Sequence, residues 1–171
     1  SLEQAMRSER LRMHGVIVVT SSAASAVLCL VVAGALWGHV AQPALMYWVA
    51  AVAAAIALRL SVGLGHRRSG ASRKPEMTWL FRYRASFAVH GMAWGLAGWI
   101  MLPQAGPLQQ DAIVFALAAV TAGSLITASF DTLATLLFSF AALAPALQRL
   151  ASEGDPKSSA TIVMLALLAV M

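Results

Sequence analysis

Charge is scarce in this chain. Only 11% of its 171 residues are Asp, Glu, Lys or Arg, while 60% are hydrophobic. An ordinary soluble domain carries roughly a quarter charged residues, so this chain cannot clothe itself in a polar surface. Cysteine is scarcer still. Cys29 stands alone, which excludes an intrachain disulfide, and its place inside an apolar run points to a buried, inert thiol. Catalytic groupings are missing too. The apolar runs hold no paired carboxylates, and the sequence shows no Cys–His cluster, no phosphate loop and no nucleophile elbow. No secretory signal peptide is expected, because the first apolar run is too long for one and no clear cleavage site follows it.

What is present is apolar sequence in runs of roughly 18 or more residues, the length that crosses a bilayer as a helix. The expected fold is all-α, a polytopic transmembrane helix bundle of six spans with the last one truncated. The opening stretch, residues 1–14, is short, charged and amphipathic. The bundle then occupies 15–171, with spans at about 15–37, 44–64, 79–103, 112–130 and 132–150. The sixth run, "ATIVMLALLAVM", is too short for a full crossing. Pro43 suits the first turn of the second helix. Pro145 is expected to bend the fifth helix or end it early. "GHRRSGASRKPEM" reads as a solvated basic loop.

The net charge of +5 does not imply nucleic acid, because the basic residues gather at the ends of apolar runs. Arg7, Arg10, Arg12, Arg59, Arg67, Arg68, Arg73, Lys74, Arg82 and Arg84 fall at one end of the spans and Arg149 and Lys157 at the other. The basic end is the cytoplasmic one. An even number of spans places both ends of the chain there, so an output domain beyond residue 171 is expected in the cytoplasm.

"FAVHGMAWGLAGW" concentrates the residues of interest. Gly91, Gly95 and Gly98 share one helix face and let another helix come close; Ala119, Gly123 and Thr127 form a second small-residue seam in the fourth span. His90 is ionisable and deep in the third span, a functional flag in a membrane. With Met92 nearby it is the only candidate ligand for copper or haem, but residues two apart on a helix point in different directions. The alternatives are a neutral His90 bonded to a neighbouring hydroxyl, with Ser124, Thr121 and Thr127 as first candidates, and contact with a small hydrophobic signal molecule near Trp94. Trp37, Trp48, Trp79, Trp99, Tyr47 and Tyr83 read as an interfacial belt. Arg82 and Arg84 read as snorkelling to headgroups. Asp131 reads as the cap of the fifth helix.

The third to fifth spans carry a Trp-Gly-x-x-Gly stretch ending in Leu-Pro (Trp94, Gly95, Gly98, Leu102, Pro103), a small-residue seam (Ala122, Gly123) and a Pro-Ala-Leu element (Pro145, Ala146, Leu147). Together they resemble the multi-span N-terminal membrane sensor region of bacterial GGDEF diguanylate cyclases and sensor or hybrid histidine kinases. The resemblance implies a signal-transduction input module in the bacterial inner membrane, working as a homodimer ahead of a cyclic di-GMP or two-component output domain. It brings no catalytic residues and no cofactor. Two other classes stay open: a small transporter or permease fragment, and a haem- or copper-binding membrane module using His90.

Overall fold

In a computed structural model the described residues are 2–69, 76–127 and 129–153. Five long helices account for nearly all of them: α1 Leu2–Leu36, α2 Gln42–Ser69, α3 Glu76–Leu96, α4 Pro107–Thr127 and α5 Thr132–Glu153. Each contains a stretch long and apolar enough to cross a membrane. The sixth apolar run and Lys157 lie outside the described residues, as do Arg73 and Lys74 in the basic loop.

The helices end where local chemistry makes them end. After α1, Gly38 adopts φ +76°, the left-handed conformation that suits glycine, and Pro43 opens α2 in the first turn, where its missing N–H costs nothing. α3 widens into a π-helical turn over Ala97–Met101 and tightens into a 3-10 turn over Leu102–Gln104, with Pro103 inside it. The charged opening stretch is not set apart from the bundle. α1 runs straight through it, and Leu11 and His14 are buried.

Several expected ends move. α2 runs on past residue 64 to Ser69, so the first residues of the expected basic loop are helical. α4 starts at Pro107 instead of near residue 112, because the polar "LQQD" turn is itself helical. Pro145 does not end α5, which continues to Glu153. Its ring withholds one hydrogen bond, from the Ala141 carbonyl four residues back, but its fixed φ is compatible with the helix, and packing against a neighbour sustains the rest.

α3 is the central helix, packed on α1, α2 and α5. A Cβ added to Gly91 would sit 2.5 Å from the Phe138 carbonyl oxygen, one on Gly95 would collide with the Ala141 carbonyl, and one on Gly98 would sit 2.8 Å from the Ala146 Cβ. Residue numbers rise together along both helices, so α3 and α5 run parallel, with bare glycine backbone against α5. Trp48 and Trp94, both 0% exposed, meet edge to face at 5.4 Å in the core. Trp48, Trp79 and Tyr83 are thus buried inside the bundle, which corrects the belt reading for these three. Trp37, Tyr47 and Trp99 are exposed.

Candidate functional site

Arg59 is 3% exposed. α2 turns it inward, away from the headgroup level where a charged side chain at a span end would snorkel. Its Nη1 donates to His90 Nδ1 at 2.7 Å and its Nη2 to Ser21 Oγ at 2.9 Å. The guanidinium carbon lies 4.3 Å from the centroid of the Phe87 ring. Nε has no hydrogen-bond partner, and no carboxylate among the described residues pairs with this cation.

The Arg59 bond fixes the state of His90. A guanidinium can only donate, so Nδ1 accepts, and the neutral imidazole carries its proton on Nε2. Nε2 then donates to Ser25 Oγ at 2.9 Å. The Trp94 indole N–H lies 2.9 Å from Ser25 Oγ and 3.2 Å from His90 Nε2; with Nε2 protonated, it donates to Ser25. The Ser25 oxygen therefore receives two donors, and its own hydroxyl proton is left to give. His90 stands at the midpoint of the span Glu76–Gln104.

This chain of polar groups forms one wall of a cavity of about 140 Å³. One ordered water needs on the order of 10–15 Å³ by the same measure, so the space suits a small molecule. Ser21, Ser25, Arg59 and His90 meet Leu28, Phe87 and Phe138 there, and Ala119, Val120, Gly123, Ser124 and Thr127 of α4 complete the lining. The Ser124 hydroxyl donates to the Thr121 carbonyl and that of Thr127 to the Gly123 carbonyl.

A second polar node sits where α1, α3 and the α4–α5 turn meet. Asp131, 1% exposed, is held by Arg84 at 2.9 Å and by His14 Nε2 at 3.1 Å, and lies 3.5 Å from the Ala134 N–H as cap of α5. His14 stacks on Tyr83 at 5.0 Å. Burial alone would raise the Asp131 carboxyl; the hydrogen bonds from His14 and Arg84, with their charges, outweigh it and hold the group below the usual carboxylate range. Arg84 is thus an ion-pair partner, not a snorkelling residue. Arg82 instead lies 5.0 Å above the Trp79 ring.

The chain matches no family model, no curated protein and no solved structure. The likeness to signalling sensor regions therefore stands on the quoted motifs alone.

The structure brings together His90, Trp94, Ala119, Gly123, Ser124 and Thr127 at or beside one cavity. It corrects the partner expected for His90: the hydroxyl comes from Ser25 of α1, and none of Ser124, Thr121 and Thr127 reaches the ring. Thr121 is buried away from the cavity with its hydroxyl unpaired. Met92 is 53% exposed and faces outward beside Leu96 and Trp99. Both ring nitrogens of His90 are engaged, so neither offers a lone pair to copper or haem iron, and among the described residues no three of His, Cys, Asp and Glu converge on one point. Gly91, Gly95 and Gly98 serve the α3–α5 contact. Gly123 does not serve such a contact, since a Cβ there would meet nothing within 4 Å.

Sequence reasoning missed Ser21, Ser25 and the placement of Arg59. Two signals were there to read. Ser21 and Ser25 are one helical turn apart on α1, and Arg59 lies several residues inside an apolar run, not at its edge.

Proposed function

We propose that this chain is the membrane-embedded input module of a bacterial signalling protein, in which a small molecule held among α1 to α5 shifts the bundle between two packings and so biases a cytoplasmic output domain. The observation that carries the reading is the polar cavity itself. A buried guanidinium and a hydrogen-bonded His–Ser–Trp chain at mid-span are costly unless used. The cavity touches all five helices, so occupancy favours one arrangement of the bundle over another by its differential affinity for the two. The motifs quoted above support the signalling class, and a diguanylate cyclase or histidine kinase is the output they point to. The module then lies in the inner membrane as a homodimer, with its basic end in the cytoplasm.

The test uses the full-length gene product. Its cyclase or autokinase activity is compared between the natural protein and the Arg59→Met and His90→Gln variants, all reconstituted in lipid. The reading expects folded variants whose output differs at least threefold from the natural protein. Unchanged output in both folded variants, or a gene product with no signalling output domain, overturns it. A Soret band or stoichiometric copper in the purified protein would favour the electron-carrier class instead.

A further inference from the structure

The cavity offers more than a place; its hydrogen-bond chemistry selects a ligand. Its polar wall presents donors. Arg59 lines it, although its Nε–H is enclosed with no partner. The Ser25 hydroxyl has both acceptor sites filled by His90 Nε2–H and Trp94 Nε1–H, so its proton is free to be donated. The hydroxyls on the opposite wall, Ser124 and Thr127, spend their protons on carbonyls of their own helix. The guanidinium is a full positive charge in an apolar bundle with no carboxylate partner among the described residues. A site with a spare hydroxyl donor, an unneutralised cation and apolar remaining walls is complementary to an anion that carries an apolar tail.

The way in narrows the class further. Ala24 on α1 is exposed, Ala119 and Gly123 on α4 are half-buried, and a Cβ at Gly123 would meet nothing within 4 Å. The cavity therefore opens between α1 and α4 at small residues, towards the surface that the bilayer covers. An amphiphile with one acidic head and an apolar tail partitions into such a medium.

We infer that the cavity binds a monocarboxylate with a short aliphatic tail, its carboxylate beside the Arg59 guanidinium and on the Ser25 hydroxyl and its tail against Leu28, Phe87 and Val120. This rests on the sensor reading for its purpose but not for its chemistry.

The experiment is equilibrium binding of radiolabelled octanoate to the chain in phosphatidylcholine nanodiscs. Octanamide serves as the neutral competitor and acetate as the tailless one. The expected result is saturable binding of one octanoate per chain, with octanamide competing at least tenfold more weakly. Acetate should compete at least tenfold more weakly because it lacks the tail; competition matching octanoate overturns the tail assignment. Arg59→Met should weaken octanoate at least tenfold. Gly123→Phe, which puts a ring at the opening and keeps Arg59 itself, should do the same and covers the case in which the Arg59 variant fails to fold. Equal competition by octanamide overturns the anion assignment while leaving a ligand-gated sensor intact. No saturable binding of either acid overturns it as well. The sensor reading is judged separately, since the output of the full-length variants is read without added ligand.

Discussion

A guanidinium at mid-membrane depth costs roughly 2.5–3.5 kcal/mol on insertion scales. Arg59 recovers part of this through two hydrogen bonds and the Phe87 face, the last worth about 0.5–2 kcal/mol. His90 is the partner that matters most, because its Nδ1 takes the shortest of these bonds. His90→Leu strands Arg59 Nη1 and removes a donor from Ser25. Hydrogen bonds to charged groups are worth about 1.5–3 kcal/mol, so a loss of about 2 kcal/mol is expected in reversible unfolding of the reconstituted chain. His90→Gln, whose amide oxygen can face Arg59 and whose NH₂ can face Ser25, should lose less than about 1 kcal/mol. Equal losses would show that the ring's bonds are not what stabilises it. The Asp131 node gives a pH-dependent counterpart. A carboxyl with a depressed folded value binds fewer protons than the unfolded chain between the two values. Its contribution is therefore complete above the unfolded value near about 3.9 and is lost as the pH falls from there towards the lower folded value. Asp131→Asn should cost about 3–5 kcal/mol at neutral pH, the scale of removing one partner of a buried pair, and should flatten the acid limb of the stability profile. An unaltered limb would mean that Arg84 and His14 do not set the carboxyl.

The glycine pattern shows what an element's sequence can and cannot reveal. Gly91, Gly95 and Gly98 on α3, and Ala119 and Gly123 on α4, both recur at helical spacing and carry the same small-residue signature. One set meets the backbone of α5 and the other faces a cavity. Periodicity names the shared face of a helix, but the neighbour of that face is a property of the bundle. The two cases separate on substitution. Gly95→Ala drives a methyl into the Ala141 carbonyl, the one that Pro145 leaves without its helical donor, and overpacking of this kind costs about 1–3 kcal/mol. Gly123→Ala should fall within about 0.5 kcal/mol of the natural chain, as substitutions into open space do. Thermal unfolding of the two variants in the same detergent is the comparison. A silent Gly95→Ala would mean that α3 and α5 are further apart than the structure places them. The same limit explains the misreading of Trp48: closeness to a span end predicts an interfacial ring, whereas the second helix carries this one inward onto Trp94.

At the level of the molecule, composition and run length revealed an all-helical, membrane-compatible chain, because bilayer thickness acts on each helix separately. The pairing of helices, and with it the cavity, depends on side chains distant in sequence, such as Ser25 and His90 or His14 and Asp131, and no local pattern encodes those. Orientation is the one global property that sequence carries in additive form, through the Lys/Arg count. The structure sorts the ends of its helices for that count. α1 and α2 are antiparallel, since Gly15 accepts from Arg67 near the start of one and the end of the other. Asp131 joins Arg84 at the same end, while Ala41 donates to Gln104 at the opposite one. Among the described residues, Arg67, Arg68, Arg82 and Arg84 therefore crowd one end and Arg149 stands at the other. From that imbalance the expected orientation has the α2–α3 end in the cytoplasm. Single cysteines at two exposed positions, His39→Cys and Arg68→Cys, in a Cys29→Ala background test this in intact cells. A membrane-impermeant maleimide should label the cysteine at position 39 directly and the one at position 68 only after the membrane is opened. Labelling in the reverse order would invert the module and turn the Arg59 cavity's basic flank outward.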